Sequence, residues 1–383
     1  MTPAKPSLDL LRSLTDEHVL RALMAEPRLT RAEIAARTGI SKPTVGESVR
    51  RLTEGGLLRD TGERTTGRGR IGSYYALAED VGVALVVSIA PDGIVAEAVD
   101  VQGQVLTREL EQVGRPARPA RVSRALADAS GRAAAAATGP VRLAVVSAAD
   151  PVDRASGRLV HLPDAPFLVG ELSPVDVLAP LVAGPVTVDN DVNWAARAER
   201  AAADPGELDD FAYLYLGEGL GCAVVADGEV RRGHGGLAGE IAHVLTRGAG
   251  ARAVAFTEVF AQLGLRQPDS TAIDVPAMLG LLDGSPPAQD ARAALAEAIG
   301  GVVAALVALS DPAAVVLGGT WGNHPALFPA VAAELAGLPR HVAVLGAQVT
   351  AEPSLTGARD QALRELRAVI LAASATDPGR LGR

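Results

Sequence analysis

A chain of 383 residues, 48% of them apolar and with a formal net charge of −9, is too long for one compact core, and two or three domains are expected. Its single cysteine, Cys222, excludes an internal disulfide and a thiolate zinc cluster within one chain. No unbroken apolar run reaches 18 residues and MTPAKPSLDLLRSLTDEHVL has no apolar h-region, so a cytosolic protein without membrane span or signal peptide is expected.

The charge is unevenly spread: residues 1–75 hold 13 Lys+Arg against 9 Asp+Glu, and the remainder 23 against 36. A basic end on an acidic body directs that end at a polyanion. Within it, TDEHVLRALMAE (15–26) predicts a helix capped by Thr15 and stopped by Pro27. LTRAEIAARTGI follows, where Thr30 and Glu33 form a capping box and Gly39 turns the chain. SKPTVGESVRRLTEGG then opens on Ser41 as cap and closes at Gly55–Gly56. Val45, Val49 and Leu52 fall on one face, leaving Lys42, Thr44, Glu47, Ser48 and Arg51 for the outer face. Two short helices about a glycine turn have helix-turn-helix geometry. LLRDTGERTTGRGRIGSYYAL reads as a hairpin wing whose tip, Arg68 and Arg70 between glycines, suits a narrow minor groove. Duplex DNA is the expected partner, contacted by Thr30, Ser41, Lys42, Thr44, Ser48, Arg51, Arg68 and Arg70. A helical hairpin for protein contacts is the plainer alternative.

From about residue 80, strands alternate with Ala-rich helices. VGVALVVSIA, VRLAVVSAA and AAVVLGG read as strands; GPVTVDNDVNWAARAERAAA as a strand entering a helix through a polar turn; FAYLYLGEGLGCAVVADGEVRRG as a hairpin; AQDARAALAEAIGGVVAALVALSD as a long buried helix. Two α/β halves around a polar cleft suit a small-molecule site.

The winged helix followed by VDNDVNWAARAE, LGEGLGCAVVADGEVRRGHGGLAGEIAH and DPAAVVLGG resembles the ROK family of transcriptional repressors and sugar kinases over nearly the whole chain. The resemblance implies an α/β fold, with residues 1–78 a winged helix-turn-helix and residues 79–383 a two-lobed actin/hexokinase-like, ribonuclease-H-like body. Its lobes would be about 79–190 with the C-terminal helix, and 191–360. The family's kinases carry Asp-x-Gly-Gly-Thr in a first phosphate loop, which falls here on Ser88-Ile89-Ala90-Pro91-Asp92, and Gly-Thr-Gly in a second, here Gly217-Glu218-Gly219. Pro91 has no N–H to offer a phosphate, and Asp92 and Glu218 add negative charge. Phosphoryl transfer rests on positioning and charge neutralisation, so no catalytic residues, no cofactor and no kinase activity are expected. Residues 316–319, VLGG, resemble the adenosine-side loop but equally fit a strand-to-turn junction.

Asp191 matches the family's catalytic base, which also binds a sugar hydroxyl; Asp189, Asn190 and Asp191 are equally suited to turning the chain and capping a helix. Glu240 and His243 in GEIAH match the family's sugar-holding Glu-x-Gly-His with Ala242 for the glycine, Glu258 a later Glu, and Asp164 in LPDAP the family's sugar-binding Asn. The Cys-x-Cys-Gly-x-x-Gly-Cys zinc segment is missing from RGAGARAVAFTE, so no metal is expected. Asp164, Asn190, Asp191, Glu240, His243 and Glu258 are the expected effector set; the alternative is a lapsed pocket with His243 a buried histidine satisfied by backbone. The expectation is a repressor of carbohydrate-related genes that senses a sugar-like effector and binds a palindromic operator as a homodimer or dimer of dimers. An active sugar kinase with a DNA-binding module and a constitutive DNA-binding protein are the alternatives.

Overall fold

The computed structural model describes residues 8–66, 71–115, 117–162, 167, 171–248, 252–284, 289–337 and 340–376. The first elements are α1 (Leu8–Ala25), β1 (Leu29–Thr30), α2 (Arg31–Thr38), α3 (Lys42–Glu54), β2 (Leu58–Arg64) and β3 (Ser73–Leu77), the strands ordered β1-β3-β2. α2 starts on the expected capping box: Thr30 Oγ1 accepts from the Glu33 N–H (3.2 Å) and the Glu33 carboxylate from the Thr30 N–H (2.7 Å). α1 is longer than the expected 15–26. Thr15 is not its cap, because its hydroxyl donates to the Leu11 carbonyl one turn back (2.8 Å) and the helix continues through it.

The body opens with β4 (Val83–Ala90), β5 (Gly93–Val99), β6 (Val105–Glu111), α4 (Pro119–Ala136), β7 (Val141–Ala148), α5 (Pro174–Leu178), β8 (Val186–Asn190) and α6 (Asp191–Ala202). Its sheet runs β6-β5-β4-β7-β8, with β4, β7 and β8 parallel and β5 and β6 antiparallel. β4 is central, and its apolar run VALVVSIA is buried through Val87 because both faces are covered.

The same plan then repeats. β9 (Phe211–Leu216), β10 (Leu220–Ala226) and β11 (Glu229–Val230) lead to β12 (Leu245–Arg247), β13 (Ala253–Ala255), α7 (Phe256–Gln262), α8 (Val275–Asp283) and α9 (Gln289–Ser310). β14 (Ala314–Gly318), α10 (Phe328–Ala336), β15 (Ala343–Gly346) and α11 (Pro353–Thr376) complete it, in a sheet ordered β11-β10-β9-β14-β15. This is the two-lobed α/β body expected from the sequence. α9 is long and apolar enough to cross a membrane, but Leu295, Ile299, Val302, Val303 and Val307 are buried in the core of the second half.

α11 crosses back to the first half and packs on α6, β7 and β4. A single core then runs from the winged helix into the body: Val19, Leu20 and Leu23 of α1 join Val86, Leu143, Leu355, Leu366 and Ile370. Each such side chain, fully buried, contributes roughly 1.5–3 kcal/mol. Arg367 of α11 clips the joint by donating to the carbonyls of Val101 (3.0 Å) and Met24 (3.1 Å). The buried Glu97 of β5 takes Arg359 of α11 (2.6 Å) and Arg108 of β6 (2.7 Å), so its charge is paired on both sides.

Candidate functional site

The cavity lies at the C-terminal ends of parallel β7 and β8, where α/β sheets commonly bind ligands. β8 stops at Asn190 because its side chain caps α6: Oδ1 accepts from the Val192 N–H (2.9 Å) while Nδ2 donates to the Asp150 carbonyl (3.3 Å). Asp191 Oδ1 also accepts from the Val192 N–H (2.8 Å). Asp189 points the other way, is buried, and is held by Asn193 Nδ2 (2.8 Å), Arg232 (3.1 Å) and Arg197 (3.6 Å). It anchors the turn, and Asn190 and Asp191 face the cavity.

GEIAH reaches the opposite wall through Gly239, whose φ of +100° and contact with β10 admit no side chain: a Cβ there would sit 1.8 Å from the Cys222 carbonyl oxygen. The Gly239 carbonyl accepts from the Cys222 N–H (3.0 Å), and Ile241 is buried beneath. The Ala242 and Val244 carbonyls accept from the N–H groups of Thr257 and Phe256 (both 2.9 Å), fixing the turn that carries His243. Asn190, Asp191, Glu240 and His243 therefore share one cavity of about 150 Å³. His243 is exposed to that space, not a buried core histidine.

Burial pushes the Asp191 carboxyl up to about 7, and burial followed by the Asp191 charge raises Glu240 to about 7. Glu240 keeps an exposed face while protein crowds it on most other sides. Burial likewise raises the Tyr215 hydroxyl and the Cys222 thiol, each to about 12, so both stay neutral. Carboxyls raised in this way can accept from hydroxyls when ionised and donate to them when protonated. Among the described residues, no group of three or more His, Cys, Asp and Glu could hold a metal ion.

One member of the expected effector set falls elsewhere. Glu258 does not line the cavity; it lies in the first turn of α7, paired with Arg266 at 3.5 Å, and its neighbour Thr257 takes the wall position. Asp164 lies outside the described residues. Asp150, Tyr215, Glu218 and Thr271 also line the cavity without having been singled out for it. Asp150 carries the one available signal, an acid just past the end of a buried parallel strand.

The kinase-loop positions are close to the cavity. Ser88–Ala90 finish β4, and Pro91–Asp92 make a two-residue hairpin turn, with Ala90 paired to Gly93. Glu218, in the turn between β9 and β10, takes both guanidinium nitrogens of Arg115, one at 2.8 Å.

In the winged helix, Ser41, Lys42 and Thr44 are exposed at the start of α3, where Ser41 caps the helix by accepting from the Thr44 N–H (3.4 Å). Three other expected DNA contacts are corrected. Thr30 is buried and its hydroxyl is used in the cap of α2. Ser48 lies inward between Val45 and Val49, fully buried and hydrogen-bonded to Asp16 of α1. Arg51 is half-buried on the same Asp16 (2.6 Å). Arg50, unforeseen, is exposed instead, paired with Glu47 and Glu54. Arg68 and Arg70 lie outside the described residues.

A winged helix-turn-helix DNA-binding model matches residues 12–59, and the ROK family model matches residues 86–259. The chain is 23% identical over 237 residues to a xylose repressor of Caldicellulosiruptor bescii, covering 61% of this chain and 59% of that protein. It is 33% identical over 169 residues to an N-acetylmannosamine kinase of Escherichia coli, covering 42% and 53%. The chain thus spans little more than half the length of these relatives. Among solved structures, a ROK family transcriptional regulator described as a homologue of the E. coli MLC protein superposes with a TM-score of 0.64 at 18% identity, over 95% of this chain and 99% of that one.

Proposed function

From a chain whose residues 86–259 belong to the ROK family and whose residues 12–59 form a winged helix-turn-helix, we propose a cytosolic DNA-binding transcriptional regulator, a repressor of carbohydrate-related genes. Its body binds a sugar-like effector through Asn190, Asp191, Glu240 and His243, with Asp164 as a further contact. The observation that carries this reading is the path between the two sites. α6 begins at the cavity and packs along α11, and α11 shares a core with α1 of the winged helix. An effector that binds two settings of that path unequally shifts the winged helix. A homodimer would set two α3 helices on successive major-groove faces of a palindromic operator.

Phosphorylation is not part of the proposal. The Pro91–Asp92 turn leaves no glycine cradle, and Glu218 occupies the second loop with a carboxylate. A coupled ATPase assay with a hexose panel is expected to show no sugar-dependent turnover; turnover abolished by Asp191→Asn would establish the kinase instead.

Operator binding tests the DNA side. Arg68→Ala/Arg70→Ala should weaken binding and flatten the slope of log K against log salt by about 2, since each lost phosphate contact removes ~0.9. Fluorescence anisotropy between 50 and 200 mM salt (about one Debye-length halving) reads this out, and an unaltered slope removes the wing from the interface.

A further inference from the structure

The cavity wall is acidic. Asp150, Asp191, Glu218 and Glu240 line it, and among its described lining residues there is no Lys or Arg. The guanidinium of Arg115 stands just behind Glu218, but it is committed there: both its terminal nitrogens bind the two Glu218 oxygens, and Gln267 Nε2 donates to the same carboxylate (3.3 Å). The Glu218 carbonyl accepts from the Ile273 N–H (2.9 Å), so the residue is held by backbone as well as side chain. Arg115 belongs to the segment between β6 and α4 in the first half, and Glu218 to the turn between β9 and β10 in the second. The pair therefore closes one side of the cleft, beside the Pro91–Asp92 turn, whose Asp92 charge also acts on Arg115.

A bidentate guanidinium–carboxylate pair leaves no net charge to offer a ligand. A phosphate entering this space would meet carboxylates on several sides and, among the described lining residues, no Lys or Arg. We propose that the Arg115–Glu218 clasp makes the cavity select an unphosphorylated sugar and reject the corresponding sugar phosphate. The inference rests on the sugar-effector reading and adds to it the charge class of the effector. Neutral hydroxyls are served by carboxylate acceptors, the Asn190 amide and the His243 ring. A phosphate dianion would need a cation: Arg115 is held by Glu218, and Arg266, behind Thr257 at 3.1 Å, is paired with Glu258.

Thermal melts of the full chain test this with glucose, xylose and N-acetylmannosamine, and with glucose 6-phosphate and N-acetylmannosamine 6-phosphate at matched concentrations. In the unmodified protein a free sugar should raise the melting temperature in proportion to its binding, and its 6-phosphate should not. Glu218→Gln frees the Arg115 guanidinium, and the ratio of phosphate to free-sugar affinity should rise at least ~10-fold. Adding Arg115→Gln to that variant should abolish the gain, which separates a released cation from a lost carboxylate. A 6-phosphate that binds the unmodified protein as well as its parent sugar overturns the selectivity and leaves the effector reading standing, as does an unchanged ratio in Glu218→Gln. If none of the five compounds shifts any melt, the effector reading fails and takes this inference with it. Should Glu218→Gln not melt cooperatively, the paired comparison in the unmodified protein decides.

Discussion

Gly357→Val is expected to destabilise the protein by about 3 kcal/mol or more and to uncouple the winged helix from the body. Glycine inside a helix ordinarily costs ~1 kcal/mol against alanine, so a larger residue should help unless space forbids it. Here space forbids it: a Cβ on Gly357 would lie 2.0 Å from the Trp194 carbonyl oxygen and 2.8 Å from its carbonyl carbon. Both are backbone of α6, so no rotamer relieves the clash and α11 must move. α11 also contributes Leu355, Ala358, Ala362, Leu366 and Ile370 to the core shared with α1. Gly131 of α4 is the matched control, with nothing within 4 Å of its would-be Cβ. Urea unfolding should show Gly131→Ala neutral to stabilising by up to ~1 kcal/mol, and Gly357→Val with a much lower midpoint. A Gly357→Val protein as stable as the unmodified one would mean that α6 and α11 are not packed as described.

The same contact shows where sequence reading runs out. In PSLTGARDQALREL, Gly357 is only a weak helix residue, because its partner Trp194 is 163 positions earlier. Local signals carried further: the capping box at Thr30–Glu33, the cap at Ser41 and the apolar run of β4 each specify their element from neighbouring residues, and each element forms. Ser48 is legible in the same local pattern as an inward residue. Val45, Ser48, Val49 and Leu52 fall at i, i+3, i+4 and i+7, the full inner stripe of a helix, and a hydroxyl can occupy that stripe when Asp16 receives it. The four cavity residues were reached through a family resemblance rather than spacing. The Arg115–Glu218 pair joins residues 103 apart in sequence and opposite in lobe; nothing local announces it. Of GEIAH, the sequence shows a Glu and a His; only the fold shows that Gly239, pressed on Cys222, aims them at Asn190 and Asp191.

Asp191→Asn should abolish the sugar-induced rise in melting temperature and, in the absence of sugar, stabilise the protein at alkaline pH. The two effects share one cause. Asp191 titrates at about 7 in the fold against an ordinary value of 3.8, because burial opposes its charge. A carboxyl whose folded pKa is raised binds its proton more tightly in the native state than in the unfolded chain. Stability from this group is therefore greatest below about pH 4, declines as pH rises between about 4 and 7, and is flat above. Asparagine keeps the acceptor for the Val192 N–H and never ionises, so it avoids that decline. At ~1.4 kcal/mol per pH unit, the advantage of the variant should grow by at most ~2 kcal/mol from pH 5.5 to pH 8. Removing the Asp191 charge also removes a repulsion that raises Glu240, so the Glu240 carboxyl should titrate lower in the variant. Chemical denaturation of both proteins at pH 5.5 and 8 measures the difference directly. A constant difference across that range would mean that Asp191 ionises normally and that burial imposes no cost on its charge. If the difference grows but the sugar response persists, Asp191 is strained yet not a contact, and effector recognition shifts to Glu240 and His243. Growth of the difference together with loss of the response identifies Asp191 as a residue whose instability is retained because the ligand needs it.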